Sequence, residues 1–188
     1  MMKKIINPFR YLPLRQALCW GIVALILTAI FTWQCGLRAT SLTQIDFGGG
    51  ALWQTTLRQL IIWFVFTMFL YIGGVVASKS KVRLVDVAAF NLFARIPFDL
   101  SLLIFAIPSV KSIMGYITDG NLNAIMQYVT PLTIIGLVSM VFCVWFIYWT
   151  YKAFSEATNL KEGRGVLVFF VCYVLSHTSI IYILKAIA

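Results

Sequence analysis

The chain has 188 residues, of which 61% are Ala, Val, Ile, Leu, Met, Phe, Trp, Tyr or Cys and only 11% are charged, against roughly 25% charged in an ordinary soluble domain. With a mean hydropathy of +0.92, too little polar side chain is present to coat a water-facing surface, which excludes a soluble secreted domain, a disordered chain and a nucleic-acid enzyme. The formal net charge of +9 must therefore be explained within a membrane protein.

Charges are so sparse that the gaps between them mark the spans, since a crossing helix needs about 20 mostly apolar residues. No charge falls between Arg15 and Arg38, Arg58 and Lys79, Asp119 and Lys152, or Arg164 and Lys185. Helices are predicted near Ala17 to Leu37, Arg58 to Ala77, Thr130 to Tyr151 and Gly165 to Leu184. Thr130 before Pro131 reads as a cap followed by proline at the first helical position. The first apolar run exceeds the 7 to 15 residues of a signal-peptide core and is read as an uncleaved span. A further stretch, Leu84 to Val110, is apolar enough to cross but carries Asp86, Arg95, Pro97, Asp99 and Pro108. Counting it predicts an all-α integral membrane bundle of five transmembrane helices, with residues 1–188 as one domain and 1–15 as a short N-terminal segment.

Lysine and arginine in short loops mark the cytoplasmic side. With five spans, Lys3, Lys4, Arg10, Arg15, Lys79, Lys81, Arg83, Lys152, Lys161 and Arg164 share one side, against Arg38, Arg58, Lys111 and Lys185 on the other. The N-terminus is expected to be cytoplasmic and the C-terminus outside. The excess of positive charge is then a basic membrane-facing surface, suited to anionic lipid headgroups at up to about 1 kcal/mol per cation. A protein partner or a second copy of the chain is also compatible; nucleic acid is not inferred. Trp20, Trp145, Trp149 and Tyr151 fall at predicted inner ends and Trp33 near an outer one, as interfacial aromatics should. Trp63 sits deeper, where packing is expected.

Cys19, Cys35, Cys143 and Cys172 have no paired spacing and read as small apolar residues. One histidine does not supply the motifs of an intramembrane metalloprotease, rhomboid or prenyl-protein protease. Neither a catalytic residue, a cofactor nor a metal site is expected. The sharpest polar signal is Asn91, Arg95 and Asp99, spaced four apart and hence on one helical face. A helix entering near Val87 would put Arg95 about 12 Å and Asp99 about 18 Å deep in a core about 30 Å thick. Each charge alone would cost about 2.5 to 3.5 kcal/mol there. Pairing removes much of that cost, and Pro97 between them deletes a backbone donor and should kink the helix. The stripe is either a substrate, proton or ion contact or a buried pair that fixes packing. A third geometry lays 84–94 flat at the interface and starts a helix at Pro97, with Asp99 in its first turn. His177, beside Ser176, Thr178 and Ser179, is read first as a neutral imidazole bonded to a neighbouring helix and second as a proton relay. Gly73 with Ala77 and Gly74 with Ser78 form small-xxx-small pairs that admit a close helix, in packing or in an oligomer.

The segments IGGVVASKSKVRLVDVAAFNLFARIP, Ile72 to Pro97, and VWFIYWTYKAFSEATNLKEGRGVLVFFVCYVLS, Val144 to Ser176, together with the Asn7-Pro8-Phe9 opening and the five-span layout, resemble the Ypt-interacting-protein (Yip) domain family, in its small prokaryotic type. The shared features are the pair Gly73 and Gly74, the loop lysines Lys79 and Lys81, the mid-span Pro97, and Trp149, Tyr151, Lys152, Ala153 and Phe154. Eukaryotic relatives bind Rab-type GTPases and organise transport membranes. The resemblance implies a non-enzymatic organiser or partner-binding protein of the bacterial cytoplasmic membrane and supplies no catalytic residues. The alternative drawn from the polar stripe is a small-solute or ion transporter or channel subunit.

Overall fold

The computed structural model describes residues 6–118, 120 and 126–187; Lys3, Lys4 and Asp119 lie outside them. Five helical segments are long and apolar enough to cross a bilayer, Leu14–Gln34, Leu52–Ala77, Leu84–Ala106, Val129–Thr158 and Gly163–Ala186. The chain is an integral membrane protein of all-α class, with one small β-hairpin. In chain order the elements are α1 (Leu14–Gln34), β1 (Leu37–Ala39), β2 (Ile45–Phe47), α2 (Leu52–Ala77), α3 (Leu84–Ala94), α4 (Ile96–Ser101), a 3-10 segment (Leu102–Ala106), α5 (Pro108–Thr118), α6 (Val129–Thr158) and α7 (Glu162–Ala186).

The outward faces are as apolar as the inside. Val76, Leu137, Leu167 and Phe170 are all largely exposed, as expected where lipid is the solvent and helix association rests on close packing and interhelical hydrogen bonds. The third span, made of α3, α4 and the 3-10 segment, is the centre of the bundle. More than half of it is buried, against a third or less of each other span. It packs on α1, α2 and α6, while α7 packs chiefly on α2. Close approach is bought with glycine: a β-carbon on Gly21 would meet Leu92 Cγ at 2.8 Å, one on Gly73 would collide with Cys172 Sγ of α7, and one on Gly74 would strike Thr158. The two small-residue pairs therefore serve packing within the chain, each against a different neighbour.

The third span crosses the bundle as a broken helix. α3 stops at Ala94, Arg95 forms the joint, and α4 starts at Ile96 with Pro97 in its first turn. Both sequence geometries contribute: Pro97 and Asp99 do stand in the first turn of a new helix, but α3 is buried between its neighbours and does not lie flat on a surface. The span ends at Ala106, short of Val110, because Ile107 is extended and Pro108 opens the separate α5. Other ends also move. α2 begins six residues before Arg58, with the Ala51 N–H donating to Gln54 Oε1 at 3.1 Å. The fourth span starts at Val129, which makes Tyr128 its cap and puts Thr130 and Pro131 inside the first turn; Thr130 is not the cap.

The two ends of the bundle differ. At one, which carries the N-terminal segment and the basic loops, Asn7 Nδ2 donates to Glu156 Oε1 at 2.9 Å, and Phe9 is buried among Phe90, Phe93 and Trp149. Ser78 and Ser80 hydroxyls both donate to the Thr158 carbonyl, at 2.6 and 3.1 Å. Asn159 closes α6 with φ 56°, a left-handed cap that asparagine tolerates. At the other end Gly36, with φ +68°, turns the chain out of α1 into an antiparallel hairpin in which Arg38 opposes Asp46. Phe47 meets Phe105 edge-on at 5.8 Å and ties the hairpin to the end of the third span. Described residues near the two termini thus lie at opposite ends of the bundle.

Candidate functional site

The structure buries the polar stripe, bonds Asn91 to a neighbouring helix and pairs the two charges with each other. Asn91 on α3 donates from Nδ2 to the Thr67 hydroxyl of α2 at 2.8 Å. One helix over, Gln59 Nε2 donates to the Thr32 hydroxyl of α1 at 3.2 Å. These two bonds stitch α1, α2 and the third span together, and each is worth about 0.6 kcal/mol, at most about 1.7, in a membrane bundle. The carbonyl oxygens Asn91 Oδ1 and Gln59 Oε1 are buried without partners. Arg95 Nε lies 3.4 Å from Asp99 Oδ1, with the two side chains 7% and 9% exposed. The guanidinium also sits over the Phe98 ring, 5.6 Å from its centroid. A single long contact is weaker than the bidentate fork available to arginine and carboxylate, but each charge has its counter-ion on the same helix, one turn away.

Asp99 also reaches a groove of about 480 Å³ between α1 and α4, with Thr28 as the other polar residue on its walls. The rest of the lining is apolar, and Trp20, Leu27 and Leu103 there are more than half exposed. The groove walls thus offer Thr28 and Asp99 alone to a polar ligand.

His177 is not part of this cluster. It belongs to α7, stacks on Tyr173 of its own helix with ring centroids 6.3 Å apart, and its Nδ1 is buried without a hydrogen-bond partner. The expected hydrogen bond from the imidazole to a neighbouring helix is not seen among the described residues. Trp63 is packed as expected, its Nε1 donating to the Ala88 carbonyl at 3.2 Å, and Trp149 is buried in an aromatic cluster with Phe9, Phe93 and Trp145. The four cysteines are free thiols, and Cys172 fills the space that Gly73 leaves.

A second polar region was not foreseen. At the hairpin end a cleft of about 700 Å³ is lined by Arg38, Arg58 and Lys185, by Asp46, and by Thr40, Thr43 and Gln44. Its cations come from the hairpin, the start of α2 and the last turn of α7, too far apart in sequence for spacing to connect them. Comparison with known proteins adds nothing to this geometry: no family model, no curated protein and no solved structure matches the chain.

Proposed function

We propose that the chain is a non-enzymatic organiser of a bacterial cytoplasmic membrane, of the kind its resemblance to the Yip family implies, with the N-terminus in the cytoplasm and the C-terminus outside. The observation that carries the reading is the contrast within the polar residues: the intramembrane charges close on each other, while Lys79, Lys81, Lys161 and Arg164 stand exposed at one end, on two loops and the first turn of α7, with the first loop bonded to Thr158. A scaffold needs a dry, paired centre and a presented surface. That surface suits anionic headgroups and an acidic face of a protein partner or of a second copy.

One observation favours the transporter reading, since Asp99 reaches the wall of the groove between α1 and α4. The groove's apolar lining gives a hydrated solute or ion nothing to replace its water, which ranks this reading second. Crosslinking with mass spectrometry in native membranes separates the two. The scaffold reading expects a reproducible protein crosslink at Lys79, Lys81 or Lys161 that is lost in Lys79→Glu with Lys81→Glu. Lipid as the only neighbour, together with a liposome flux abolished by Asp99→Asn, would overturn it in favour of transport.

A further inference from the structure

Three cations gather in the hairpin-end cleft without a matching set of carboxylates. Arg38 stands on β1, Arg58 on the second turn of α2 and Lys185 on the last turn of α7, and all three line the same space, with Asp46 as the one acidic residue on its walls. Arg38 is the direct cross-strand partner of Asp46, the position in which an ion pair would be cheapest to make. The pair is not made. Among the described residues the ion pair present is Arg95 with Asp99, so no carboxylate of theirs stands within ion-pair distance of the cleft cations. Arg38 Nε is moreover buried with no hydrogen-bond partner, an arrangement that proteins seldom leave uncompensated. Arg38 and Arg58 also share the lining of a smaller adjoining cleft, so two like charges are held on one surface, which is unfavourable unless an anion joins them.

The cleft supplies the rest of a binding site. Thr40 and Thr43 offer hydroxyls, Gln44 an amide, and Ile45, Ile181 and Leu184 an apolar floor. Two guanidinium groups with hydroxyl donors suit a phosphate better than a carboxylate or a halide, because each fork can bond two oxygens and a phosphate has enough oxygens and charge to engage two forks and the hydroxyls together, where a carboxylate has two oxygens and one charge. On the orientation proposed above, these cations also stand against the usual bias of lysine and arginine to the cytoplasmic side. That bias makes their convergence from three separate parts of the chain the less expected by chance.

We propose that this cleft binds a phosphate group, carried either by an anionic phospholipid headgroup or by a free phosphate in the aqueous phase at that face. The test uses the full chain in nanodiscs of phosphatidylcholine, titrated in one arm with inorganic phosphate and in the other with phosphatidylglycerol incorporated in the disc, reading the thermal midpoint and, by native mass spectrometry, retained lipid. Wild type should be stabilised in at least one arm: by soluble phosphate if the ligand is free, by phosphatidylglycerol alone if it is a headgroup. Arg38→Gln with Arg58→Gln should weaken the response at least tenfold, and the exposed Lys185→Gln, which disturbs no packing, should weaken it severalfold. Lys111→Gln, which removes an exposed cation near the hairpin but outside the cleft, should leave it unchanged. Absence of any response in wild type, or an equal loss in the Lys111 control, would overturn the proposal.

Discussion

Two places in this bundle hold arginine out of bulk water, and they treat the charge in opposite ways. In the third span, Arg95 has its counter-ion one helical turn away, lies over Phe98 and is almost fully covered. At the hairpin end, Arg38 has a carboxylate directly across the strand pair and leaves it unused, with Arg58 and Lys185 on the same cleft. A directly opposed position across two strands does not by itself make a pair. The difference is one of setting: a charge buried within a span and left without a partner costs about 3 to 5 kcal/mol, whereas cations at the end of the helices can wait for a ligand or for water.

The largest expected effect tests the first half of that contrast. Asp99→Ala strands Arg95 in the bundle and should cost about 3 to 5 kcal/mol, seen as a steep loss of monodisperse protein and a lowered thermal midpoint in detergent. Arg95→Met with Asp99→Leu removes both charges and should lose less than half of that. Equal losses would mean that the pair does not act as a unit. Next in size, Gly74→Val pushes a branched side chain into Thr158 and should cost about 1 to 3 kcal/mol. Gly48→Ala, whose added β-carbon meets nothing within 4 Å, should leave the thermal midpoint where it was; a comparable loss at both would mean that the close α2–α6 contact carries no weight.

Smaller again, Asn91→Leu breaks the bond to Thr67 and should cost about 0.6 kcal/mol, at most about 1.7, with no further loss when Thr67→Val is added. Additive losses in the double variant would show that the two side chains do not act together. The smallest effect tests the second half of the contrast. Arg38→Gln in phosphate-free buffer should change stability by no more than about 0.5 kcal/mol, because Arg38 makes no ion pair among the described residues. A loss as large as that of Asp99→Ala would place Arg38 among the structural charges.

The five spans were legible because charged residues are too costly to leave inside hydrocarbon, so their absence draws the map directly. The stripe was legible for a related reason: a repeat of four residues lines up one helical face, and Arg95 and Asp99 are indeed paired. Its partner Thr67 was not, nor was the separate bond between Gln59 and Thr32, because both threonines look like any other tolerated threonine until a neighbouring helix brings Asn91 or Gln59 against them. The hairpin escaped notice because its strands are three residues each, too short for alternation to show. Without the hairpin the cleft has no wall, and Arg38, Arg58 and Lys185 remain a count of charges on one side. The Asn7-Pro8-Phe9 opening, noted only as part of a resemblance, proves to fasten the N-terminal segment to α6 through Glu156 and Trp149.

The contrast between a dry pair and an open cleft is tested most directly by thiol accessibility. With the native Cys19 and Cys35 replaced by alanine, Thr28→Cys beside Asp99 and Thr43→Cys in the cleft give two matched reporters, each replacing a threonine. Exposed to a membrane-impermeant maleimide from the hairpin side, Thr43→Cys should label rapidly and Thr28→Cys should remain protected until the protein is denatured. Rapid labelling of Thr28→Cys would put water beside Asp99 and contradict the dry, closed pair.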